Sequence, residues 1–64
     1  MDEGLSWDQA VRRARRLAKY RGESIFVVRD GSDYGVGDEA DLDTWWLGAT
    51  VCAEVQSDGT VLSD

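Results

Sequence analysis

The sequence predicts a small α+β domain: one N-terminal amphipathic helix packed on a four-stranded antiparallel sheet. Three observations carry this. Apolar residues recur at helical spacing between Trp7 and Ala18. Two later stretches, Ser24–Gly37 and Thr50–Leu62, each divide into two strand-like runs around a cluster of turn formers. The 64 residues contain no proline, repeat or low-complexity tract that would mark a linker, so residues 1–64 form one domain.

The helix is expected over Trp7–Arg21. Ser6-Trp7-Asp8-Gln9 has the form of a capping box, in which the Ser6 hydroxyl accepts from the Gln9 amide and the Gln9 side chain returns to the Ser6 backbone. Asp8 suits the positive end of the helix dipole, and Lys19 and Arg21 suit its negative end. Gly22 can take the left-handed conformation that ends a helix. Trp7, Ala10, Val11, Ala14, Leu17 and Ala18 fall on one face, with Trp7, Val11 and Leu17 expected against the sheet.

Ile25-Phe26-Val27-Val28 is β-branched and aromatic throughout, which suits a strand covered on both faces. Asp30-Gly31-Ser32-Asp33 is a turn, and Tyr34–Gly37 returns as the second strand. Asp38–Ala49 reads as an irregular connection with one helical turn starting near Asp41. Thr50–Gln56 alternates, placing Val51, Ala53 and Val55 inward and Thr50, Cys52, Glu54 and Gln56 outward. Ser57-Asp58-Gly59 turns the chain into a last strand, Thr60–Leu62.

Function is addressed by charge. All seven basic residues, Arg12, Arg13, Arg15, Arg16, Lys19, Arg21 and Arg29, precede Asp30, whereas residues 30–64 hold nine carboxylates and no cation. The whole chain carries −6. A surface divided in this way acts on charged partners, steering them and setting association rates.

Catalysis is not expected. Without histidine there is no Ser-His-Asp or Cys-His arrangement, and a chain this short has little room for a substrate cleft. The lone Cys52 has no histidine to activate it and no second thiol for a disulfide or zinc site. Asp41-Leu42-Asp43 begins like a calcium loop, but Trp46 stands where the obligatory glycine belongs, so no metal or other cofactor is expected. Gly35-Val36-Gly37 lacks the third glycine and the following helix of a dinucleotide site.

The candidate site is the acidic segment. Asp30, Asp33, Asp38, Glu39, Asp41 and Asp43 stand close together in sequence, interleaved with Tyr34 and followed by Trp45 and Trp46. Carboxylates at this density can occupy a groove built for phosphates, and neighbouring aromatics supply the desolvated anchors that dominate binding energy. Of Trp45 and Trp46, one ring is expected to enter the core and the other to be partly exposed.

In size, acidity and lack of catalytic residues the chain resembles the anti-CRISPR and DNA-mimic proteins of phages and mobile elements. The resemblance implies an inhibitor that occludes the nucleic-acid-binding surface of a basic partner, such as a CRISPR effector complex. The net charge of −6 counts against direct contact with nucleic acid, no stretch is apolar enough to span a membrane, and a monomer or weak homodimer is expected. An acidic N-terminus without an apolar stretch predicts a cytoplasmic protein. The alternatives are an accessory interaction or dimerisation module using an aromatic patch, or a nucleic-acid binder using the basic helix Arg12–Arg21.

Overall fold

The computed structural model describes residues 5–44 and 48–63. The element order is α1 (Trp7–Arg21), β1 (Ile25–Asp30), β2 (Asp33–Gly37), α2 (Glu39–Leu42), β3 (Thr50–Val55) and β4 (Val61–Ser63). The strands form one antiparallel sheet in the order β2-β1-β3-β4, with α1 packed on it, as the sequence predicts.

Local chemistry sets both ends of α1. Gln9 N–H donates to Ser6 Oγ at 3.2 Å, and Ser6 N–H donates to Gln9 Oε1 at 3.0 Å, completing the capping box. At the other end Gly22 takes φ 68°, and its N–H donates to Ala18 O at 2.8 Å.

The core differs from the expected one in its centre. Ala10, Ala14 and Ala18 are fully buried, and they meet Ile25, Val27, Ala53 and Val55 across the helix–sheet interface. Val11 and Leu17 are half-buried at its margins, and Trp7 is 37% exposed. An alanine stripe lets the helix approach the sheet closely, which moves the larger side chains to its flanks. Trp7 packs there edge-on against Tyr34, with ring centroids 5.4 Å apart.

The hairpin β1–β2 turns through Gly31-Ser32 between the paired Asp30 and Asp33. Gly31 has φ 69° and Ser32 has no positive φ, the pattern of a type II′ turn. The outer edge of β2 is met by Leu5, whose N–H and C=O exchange bonds of 3.3 and 3.2 Å with Tyr34. Since β2 and β3 are both antiparallel to β1, they run in the same direction. The connection between them must therefore return the chain along the sheet. It carries α2, which starts at Glu39 rather than near Asp41 because Asp38 caps it.

One inward residue is misplaced by the sequence. The register between β1 and β3 shifts between Val27 and Val28: Val27 pairs with Ala53 but Val28 pairs with Val51, leaving Cys52 as the extra residue of a bulge. Alternation breaks there, so Ala53 and Val55 are buried while Val51 is 45% exposed. Val51 instead lines an open depression with Phe26, Cys52 and Leu62.

Candidate functional site: two unpaired charged surfaces

The acidic segment divides into two groups. Asp30 and Asp33 are directly opposed at the tip of the β1–β2 hairpin, both exposed. Like charges facing each other across a strand pair are destabilising, and Arg29 beside them donates to Gly31 O without an ion pair to either among the described residues. Asp38, Glu39, Asp41 and Asp43 lie at the other end of β2, around α2. The five residue steps from Asp33 to Asp38 separate the groups by about 17 Å, beyond the ~8 Å Debye length at physiological salt.

Within the second group the carboxylates differ in role. Asp38 accepts from Asp41 N–H at 2.9 Å, and Asp41 accepts from Asp38 N–H at 3.1 Å, a reciprocal cap on α2. The second oxygen of Asp38 takes Arg21 Nη1 at 3.1 Å. Glu39 and Asp43 are exposed. Tyr34 is half-buried, its ring against Trp7, so it belongs to the packing of the edge as much as to the surface. Trp45 and Trp46 lie outside the described residues.

Arg21 is the single side-chain cation in an ion pair among the described residues, with Asp38 and, at 3.7 Å, with Glu23. Arg29 instead donates from Nε to Gly31 O at 3.0 Å. Arg12, Arg13, Arg15, Arg16 and Lys19 are all exposed on α1 and have no carboxylate partner among the described residues. Of the basic residues of α1, Arg21 alone pairs with the acidic half among the described residues.

Three further features complete the surface. Asp58, in the β3–β4 turn, accepts from Thr60 N–H at 2.9 Å, and this bond holds its carboxyl below the usual range. Cys52 is half-buried in the bulge, with its Sγ 3.7 Å from Thr50 O. Among the described residues no group of acids and thiols is arranged to hold a metal ion, and no helix is long and apolar enough to cross a membrane.

Comparison with protein-family models, curated proteins and solved structures returns no match for this chain. Function is therefore argued from the surface itself.

Proposed function

We propose that this domain is a small acidic inhibitor that occludes the nucleic-acid-binding surface of a basic partner protein. One observation supports the reading most: among the described residues, Asp38 alone of the carboxylates after Arg29 has a cation beside it. A domain whose charges served only its own stability has seven cations available to intersperse with its acids. Here they are kept apart, so the field of the acidic half extends into solvent, where it can steer a basic partner. Exposed Asp30, Asp33, Glu39 and Asp43 are the contact residues of choice, because Asp38 and Asp41 are engaged in capping α2.

The test has two steps. Proteins captured from host lysate on the immobilised domain are identified, and the captured protein is then assayed for DNA or RNA binding in the presence of the domain. The reading expects a basic protein that releases its nucleic acid as the domain is titrated in. Glu39→Lys with Asp43→Lys should slow association at least tenfold without altering the circular dichroism. A captured partner that keeps its nucleic acid bound at saturating domain refutes occlusion. Unchanged association by the double variant moves the contact away from α2.

A further inference from the structure

A second surface remains beside the acidic one. Arg12, Arg13 and Arg16 line a shallow depression of ≈ 200 Å³ together with Leu5 and Gln9. One turn beyond Arg16, Tyr20 stands 88% exposed, an unusual position for a large ring in a domain short of apolar burial. The helix periodicity puts Arg12, Arg13, Arg16 and Tyr20 along one side of α1. The single carboxylate of α1, Asp8, sits in its first turn. We infer that this track of α1, from the arginine-lined depression to Tyr20, is a docking surface for single-stranded nucleic acid.

Four arguments select that occupant. The cations have no ion-pair partner among the described residues, which leaves them available to an anion. All three cations of the track are arginines, whose planar fork suits phosphate oxygens. The track carries three cations, Arg12, Arg13 and Arg16, enough to neutralise about three phosphates of one strand. Tyr20 at the end of the track, 88% exposed, offers a ring face on which a base can stack. A duplex fits less well, because its bases are already stacked and offer Tyr20 no free face. The net charge of −6 does not forbid this contact: salt screens acids farther away than ~8 Å, and the carboxylate of α1 within that range is Asp8, one turn before Arg12. The affinity expected is weak and strongly salt-dependent.

Fluorescence anisotropy of a labelled oligothymidylate of ~12 nucleotides tests it, with oligouridylate, a duplex of equal length and poly-glutamate as competitors. With about three phosphates engaged, affinity should fall ~20-fold between 50 and 200 mM salt. Arg12→Ala with Arg16→Ala should lower affinity at least tenfold at 50 mM and flatten the salt slope to about a third. Tyr20→Ala should lower affinity about fivefold and leave the slope unchanged. No anisotropy change at 50 mM salt with ~0.2 mM protein overturns the inference. So does a duplex that competes better than the single strands. Displacement by poly-glutamate, together with an unaltered Tyr20→Ala variant, overturns it in favour of an acidic protein. None of these variants touches Glu39 or Asp43, so failure here leaves the acidic-face proposal standing.

Discussion

Replacing Ala14 by leucine should destabilise this domain more than truncating Leu17 to alanine, the reverse of what hydrophobicity alone suggests. Ala14 is fully buried in the middle of the alanine stripe, facing the β-branched residues of β1 and β3. Leucine adds three carbons where there is no room, and such overpacking typically costs about 1–3 kcal/mol. Leu17 is half-buried at the margin of the same interface. A full-burial Leu→Ala change costs about 2–5 kcal/mol, so a half-buried one should cost about 1–2 kcal/mol, with less cavity left behind. In a domain of this size each kcal/mol moves the melting temperature by about 4–8 °C. Ala14→Leu should therefore lower it by roughly 4–24 °C, and Leu17→Ala by roughly 4–16 °C. The assay is paired thermal and urea melts, with ranking read from the denaturation midpoint at common m-value. A neutral or stabilising Ala14→Leu would refute close helix–sheet packing and place the helix farther from the sheet, with Trp7, Val11 and Leu17 as its true contacts.

Three other outcomes follow from the same geometry. Val51→Thr should change stability by no more than ~0.5 kcal/mol, whereas Val55→Thr puts a hydroxyl into the buried cluster and should cost at least ~1 kcal/mol; equal effects would argue against the bulge. Asp38→Ala should cost about 1–2 kcal/mol, losing the cap on α2 and the Arg21 contact together, while Asp38→Asn keeps the cap and should cost less than ~1 kcal/mol by denaturant melts. Asp58 has a depressed carboxyl pKa in the folded state, so its bond to Thr60 N–H stabilises the β3–β4 turn above the ordinary carboxylate pKa of 3.8 and is lost as pH falls through the folded value. An NMR titration should find the Asp58 carboxyl below that reference, and Asp58→Asn should remove its contribution to the acid loss of the turn.

The parts of the fold legible in the sequence are those fixed by near neighbours. Both ends of α1 could be read because Ser6 with Gln9 and Gly22 with Ala18 satisfy backbone groups within one turn. The hairpins were legible because Gly31 and Gly59, both at positive φ, sit where their turns need them. What failed was decided at a distance. The two-against-one count at Val51 and Cys52 depends on how β3 registers against Val27 and Val28, and no local residue announces it. The start of α2 was missed for another reason: its cap uses Asp41 where the familiar pattern has glutamate or glutamine. The alanine stripe was visible as an i, i+4, i+8 spacing, but larger residues on the same face outweighed it. For the surfaces, sequence gave the sign of each charge, and only the strand between Asp33 and Gly37 separates the acids into two patches.

The two charged surfaces are joined at one point, and that point has structural consequences. Arg21 ends α1 and belongs to the basic element, while Asp38 opens α2 and belongs to the acidic one. Their 3.1 Å contact is exposed enough, at 45% and 26% of the two side chains, that its net worth is at most about 1 kcal/mol. Its position matters more than its energy. Asp38 accepts from Arg21 on Oδ2 while its Oδ1 accepts from Asp41 N–H, so the contact links the start of α2 to the end of α1. Glu39 and Asp43, the exposed acids flanking that short helix, are thereby held in fixed relation to the arginine track. A binder for one charged surface thus meets the other at a defined distance, and removing Arg21 should loosen that relation while leaving both surfaces chemically intact.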